Sequence, residues 1–297
     1  MYSTEFSLKL QDTADRVTVA LDALIPAVQG PESELLSAMR YSALGGGKRL
    51  RPFLLLAAGR LFGVDERPLL RVSAALECVH SYSLIHDDLP CMDDDDMRRG
   101  TPTVHIAYNE ATAVLAGDAL LTLAFEILAD EQTHSDPHVR IELITCLAKA
   151  AGAQGMVGGQ AIDMSGALLG NDIAAVTRMQ RLKTGALFNF AIDAAAIMGR
   201  AGHDARHALQ AYAHDFGLAF QITDDILDVE GNSETTGKAV NKDKGLGKAT
   251  FVSLLGLEDA KARVSFLCEQ AKGHLKMFGA SAVDLIELVD EVENRQS

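Results

Sequence analysis

The chain has 297 residues, 48% apolar and 23% charged, with 27 basic against 41 acidic side chains and a formal net charge of −14. This composition supplies ample core material and excludes a disordered chain, and its acidity excludes nucleic acid and anionic membranes as general partners. An anionic substrate stays open, provided that cations and a few basic side chains reverse the local field.

Ala, Leu, Glu and Met are abundant, apolar residues recur at three and four, and alternating β-branched runs are scarce. The pattern predicts an all-α chain. A first amphipathic helix covers residues 4–27 and ends at Pro26 and Gly30-Pro31, and a second covers 32–44 and stops at Gly45-Gly46-Gly47. Pro52 opens the next helix, to 61. Helices then fit 68–89, 104–129 with a break near Gly117, 137–165, 174–198 and 204–227. The stretch 230–248, rich in Gly, Asn, Thr and Lys, reads as a loop, and two or three helices close the chain. No linker or composition shift divides it, so residues 1–297 are expected to form a single domain. The N-terminus lacks the pattern of a secretory signal. The most apolar stretch, 111–129, is interrupted by Asp118 and Glu126, so stable membrane insertion is not expected. Cys78, Cys91, Cys146 and Cys268 have no paired spacing, which suits reduced thiols in the cytoplasm.

Six of the ten residues from Asp87 to Asp96 are aspartates, followed by Arg98 and Arg99. Carboxylates so close raise one another's pKa unless cations sit among them, and hard cations such as Mg²⁺ suit that environment. A solvated acidic loop is the commoner fate of a charge run, but the apolar approach ECVHSYSLIH reads as a buried helix leading into the acids. Pro90 ends or kinks that helix, so Asp87, Asp88 and Asp93 converge only if the chain folds back. Asp94, Asp95 and Asp96 read as outer or solvated groups. A second cluster, DDILD from Asp224 to Asp228, follows the apolar FGLAFQI. Asp224 and Asp228 share a helix face, about 5–6 Å apart at Cβ, whereas Asp225 points elsewhere. Two clusters in matching contexts point to one metal site built from both.

The run GGGKRLR, residues 45–51, places Lys48, Arg49 and Arg51 before a helix N-terminus and is a candidate diphosphate cradle. Its spacing is not that of a nucleotide-hydrolysing loop. Taken alone, the glycine run would be a turn and His80 a satisfied core residue. Lys183-Thr184-Gly185 lies mid-helix, where glycine is unfavourable. A local distortion aiming carbonyls inward and close helix packing account for it equally.

GGGKRLRP, the first aspartate run with RRG, GGQ, KTG, FQITDDILD and the later Gly-Lys loop resemble, in order and spacing, the trans-isoprenyl diphosphate synthases. The resemblance covers nearly the whole chain and is closest to the bacterial farnesyl diphosphate synthase branch. It implies an all-helical isoprenoid synthase fold, with about ten helices around a central cavity, a homodimer, and several Mg²⁺ ions. The implied ligands are Asp87, Asp88 and Asp93 on one wall, and Asp224 and Asp228 on the other. Arg98, Lys183, Lys238 and Lys248 would contact the allylic diphosphate, and Lys48, Arg51, His80 and Arg99 that of isopentenyl diphosphate. Thr184 and Gln221 would turn oxygen dipoles towards the allylic cation, and Asp163 would support the site from behind. Tyr82, with Ser83 beside it, would set chain length. Tyr82 lies about 7.5 Å along the helix before Asp87, where an aromatic implies a fifteen-carbon product, although core packing fits the same position.

The implied activity is condensation of isopentenyl diphosphate with dimethylallyl and geranyl diphosphate to farnesyl diphosphate. Geranyl or geranylgeranyl diphosphate is the alternative product. A terpene cyclase is disfavoured by 5% aromatics and no Trp, and a non-catalytic partner subunit by two intact aspartate motifs. Thr236 and Asn241 depart from the leucine and glycine common in the family, which bears on the 230–248 loop as a lid.

Overall fold

The computed structural model describes residues 2–165, 172–230 and 250–295. Three helices are buried almost all round: α3 (Leu50–Arg60), the middle of α4 (Glu66–Asp87) and α10 (Ala186–Met198). Their sequences are apolar on every face, the mark of a helix surrounded by others. Around them pack helices with one apolar face: α1 (Thr4–Leu24), α2 (Ser33–Leu44), α6 (Glu110–Ala129), α7 (Pro137–Ala151) and α11 (His203–Glu230). The short helices α5 (Val104–Ala107), α8 (Met156–Ser165) and α9 (Ile173–Gln180) join them. After α11 come α12 (Phe251–Leu255), α13 (Leu257–His274), a 3₁₀ turn and α14 (Val283–Asn294). The all-α expectation holds. The only sheet among the described residues is a two-residue ribbon, Met97–Arg98 against Thr101–Pro102.

α6 is long and apolar enough to cross a bilayer. Here it lies against α4 by one face, with Ala113, Ala116, Leu120 and Ala124 fully buried and Val114 and Leu115 exposed.

The observed boundaries differ from the expected ones where local chemistry overrides periodicity. The break expected near Gly117 falls earlier, where the Asn109 side chain accepts the Thr112 N–H at 2.8 Å and caps α6. The helix expected over 137–165 is two, because the chain turns through Gly152 and Gly155 between α7 and α8. α3 begins at Leu50, not at Pro52, because Arg49 stands in the left-handed region (φ 47°) and turns the chain into the helix. At Gly185 the structure favours the first of the two explanations: residues Arg181–Gly185 form one turn of π-helix between α9 and α10, and a Cβ there would meet nothing nearer than 3.8 Å.

Candidate active site

The first carboxylate wall is the C-terminal end of α4. Past Pro90 the chain folds back: the Asp93 N–H donates to the Asp87 carbonyl at 2.8 Å and the Asp95 N–H to the Asp88 carbonyl at 3.2 Å. The run therefore wraps around the helix terminus, where the dipole is negative and favours cations. Burial pushes the Asp87 carboxyl up to about 6; nearby Lys183 opposes the shift, and Asp93 and Asp88 add to it. Asp88, buried, is gripped by Arg98, whose Nε lies 2.8 and 2.9 Å from its two oxygens. The ribbon aims that arginine. Arg99 and Gly100 both have positive φ (53° and 80°), the backbone of a tight hairpin turn.

The basic wall faces the same turn. Arg99 Nη1 donates to the Gly46 carbonyl at 2.6 Å and passes so close to Gly47 that a side chain there would collide with it. Arg49 is buried, bonded to Glu77 of α4 and donating to the Ala43 carbonyl at 2.6 Å. That anchor places Arg51 against His80, one turn beyond Glu77, with Arg51 Nη1 3.5 Å from His80 Nε2 and its guanidinium 4.7 Å above the Phe188 ring. Burial and then Arg51, Arg99, Arg49 and Arg98 hold His80 well below its usual pKa, so it is neutral and its Nε2 accepts from Arg51. The Lys48 ammonium lies 5.3 Å from the Tyr2 ring.

The second carboxylate wall is α11. Asp224 is partly exposed and takes a hydrogen bond from Arg295 Nη1 at 3.0 Å. The Arg295 guanidinium also lies over the rings of Tyr2 and Phe220, at 5.5 and 5.6 Å. Asp225 is buried and points away, accepting the Phe251 N–H at 2.8 Å at the start of α12. Between the walls, Lys183 Nζ on the π turn donates to Asp163 Oδ2 of α8 at 2.6 Å. Gln221 and Gly185 line one cleft together with Asn189 and Gly217.

A model of the polyprenyl synthetase family matches residues 32–279. The chain belongs to the polyprenyl synthetase family. It is 45% identical over 282 residues to the farnesyl diphosphate synthase of Escherichia coli, covering 94% of each chain. Against geranylgeranyl pyrophosphate synthase 4 of Arabidopsis thaliana it is 39% identical, covering 99% of this chain and 79% of that protein. Among solved structures, an FPP/GFPP synthase from Zymomonas mobilis superposes with TM-score 0.87 at 50% identity, covering 96% of this chain and 97% of that one.

Within this polyprenyl synthetase, some of the residues singled out in the sequence are brought together. Arg51 with His80, and Arg98 with Asp88, are in direct contact. Asp87 is within electrostatic reach of Lys183, Asp93 and Arg98, as Arg51 is of Asp224 and Arg99. Lys238, Lys248, Thr236 and Asn241 lie outside the described residues. Asp88, expected as a metal ligand, is in this structure the partner of Arg98. Ser83 is turned back on its own helix, donating to the His80 carbonyl at 2.9 Å.

Several contacts at the site escape a reading by motif. Glu77 and Arg49 are far apart in sequence and meet only in the fold. Tyr2 and Arg295 come from opposite ends of the chain. Both polar atoms of the Gln160 side chain, in the GGQ run, are buried without a partner among the described residues, a signal that only a structure gives. Gly159 is explained by close approach: a Cβ there would run into the backbone of Leu182 and Lys183. Gly159→Ala is expected to force α8 off the π turn, destabilising the protein by about 1–3 kcal/mol. Denaturant unfolding checks this, and an unchanged midpoint would show that the two elements part freely.

Proposed function

We propose that the chain is a Mg²⁺-dependent prenyltransferase that condenses isopentenyl diphosphate with dimethylallyl and geranyl diphosphate to give farnesyl diphosphate. One observation carries the reading: a carboxylate wall and a basic wall meet at one turn, with Arg98 on Asp88, Arg99 on the Gly46 carbonyl, and Arg51 against His80. Two diphosphates of different role need such a division, one held through metal and one by cationic side chains.

The donor set fits Mg²⁺. Its members are carboxylate oxygens, the hard donors that Mg²⁺ prefers. Among the described residues no three such groups close on one point; Mg²⁺ commonly takes one or two carboxylates and completes its shell with phosphate oxygens and water. Asp87, Asp93, Asp224 and Asp228 would hold it, with Asp88 fixing Arg98. Bound there, the metal would supply positive charge to the leaving diphosphate.

The side chains carry the rest. Lys183 and Arg98 add charge where the allylic C–O bond breaks. Lys48, Arg51, neutral His80 and Arg99 orient isopentenyl diphosphate so that its double bond attacks the allylic carbon, which forms the new C–C bond. Thr184 and Gln221 turn oxygens towards the cationic carbon. The proton lost from the adduct goes to the departed diphosphate, so that no side-chain base is required. Tyr82, buried and edge-on to His86, forms the floor that stops the tail.

Purified protein with Mg²⁺, isopentenyl diphosphate and either allylic diphosphate is expected to yield a fifteen-carbon product. No elongation of either substrate would end the reading. Tyr82→Ala is expected to shift products to twenty carbons and beyond, resolved by chromatography. An unchanged distribution would remove the floor assignment. A single domain over 1–297 and a cytoplasmic location belong to the same reading, in keeping with four free cysteines. So does a homodimer, which would cover Ile106, Val114 and Leu115, exposed by 50, 40 and 55%.

A further inference from the structure

On α4, Tyr82 and His86 stand one helical turn apart, ring edge to ring face, with centroids 5.7 Å apart and planes at 78°. His86 leaves its own helix to reach α6: its Nε2–H donates to the Val114 carbonyl at 3.1 Å, and Asp118 Oδ1 lies 4.0 Å from the same nitrogen. The imidazole sits there because residue 117 has no side chain. A Cβ at Gly117 would overlap Nε2, Cδ2 and Cε1 of the ring. Gly117 lies inside a helix with φ outside the left-handed region, so backbone conformation does not call for glycine, which is unfavourable there relative to alanine. What glycine provides is a notch in α6, filled by the ring on which Tyr82 leans.

We propose that the Gly117 notch and the His86 ring seated in it are a specificity-determining pair that sets product length by fixing the depth of the Tyr82 floor. The inference rests on the reading of Tyr82 as that floor. His86 in the notch backs the phenol on the α6 side, and the aromatic contact with the Val114 hydrogen bond leaves the phenol ring one stable position. Filling the notch drives the imidazole off α6 and onto Tyr82, which raises the floor. Removing the imidazole frees the space behind Tyr82, which lets the floor recede. The two changes act on the same wall with opposite sign, and neither residue need touch the reacting atoms.

The test reads product ratios at matched conversion, which a general loss of stability or rate does not move. Gly117→Ala is expected to raise the ten- to fifteen-carbon ratio by about tenfold, the discrimination that one methyl-sized change in an apolar pocket provides. His86→Ala is expected to raise the twenty- to fifteen-carbon ratio by a similar factor. In the double variant, alanine at 117 has no ring to displace, so the products follow His86→Ala. Tyr82→Ala is run alongside. If it lengthens the product while Gly117→Ala and His86→Ala leave both ratios unchanged, the notch proposal is overturned and the floor reading stands. If Tyr82→Ala changes nothing, the floor reading and the notch proposal fall together. Should Gly117→Ala fail to fold, His86→Ala and the double variant carry the decision.

Discussion

Asp224→Ala is expected to lower turnover by on the order of a thousandfold while leaving the fold intact, and Asp225→Ala to weaken the fold first. The two aspartates are neighbours on α11, yet their surroundings oppose each other. The Asp224 side chain is 42% exposed and bonded to Arg295 across the site. Its removal takes no atom from the core. Asp225 is buried and takes the Phe251 N–H at 2.8 Å; without it a buried donor is left unpaired, a loss of about 1–3 kcal/mol. Steady-state turnover, far-UV circular dichroism and thermal unfolding of the two variants decide the matter. Near-normal turnover in Asp224→Ala would remove it from the metal-binding wall.

Glu77→Gln is expected to be among the most destabilising single changes of charge in the protein. Glu77 and Arg49 have side chains only 3% exposed each. Neutralising one strands the other's charge away from water, a loss of about 3–5 kcal/mol, which for a chain of this size lowers Tm by roughly 10 °C. Arg49→Met combined with Glu77→Leu should recover much of that, since a buried pair replaced by apolar groups is often neutral. Scanning calorimetry checks both, and a fall below about 2 °C in Glu77→Gln would mean that water reaches Arg49. Because Arg49 also sets the left-handed entry into α3, the Michaelis constant for isopentenyl diphosphate should rise more than that for the allylic partner.

Those contrasts show what a sequence does and does not carry. The division of labour between Asp224 and Asp225 is legible, because helical spacing alone sends neighbouring side chains to different sides. The fold-back after Pro90 is legible from the constraint proline places on the residue before it. One break in the middle of the chain falls away from its expected place, and a second is not expected at all, for a physical reason. An asparagine cap at residue 109 and a glycine pair at 152 and 155 interrupt helices whose apolar periodicity runs on through them. Pairings such as Arg49 with Glu77, or Arg295 with Asp224, leave no trace in spacing, since they depend on how whole helices pack. Gly117 is legible as an anomaly but not in its purpose; the sequence suggests a break where the structure has a receptor for a ring.

The π turn at Arg181–Gly185 has a consequence for chain register. Such a turn accommodates one residue more than an α-helix over the same length, and each residue of a helix turns the next by about 100°. Deleting any one residue from this turn would let 173–198 run on as ordinary helix. Because the turn absorbs its extra residue, 186–198 would keep nearly the same phase relative to residues 173–180. Phe188 and Phe190, both buried, would keep their places in the core, and only the turn that carries Lys183 would change. The placement of Lys183 is thus fixed by a count of residues as much as by their identity.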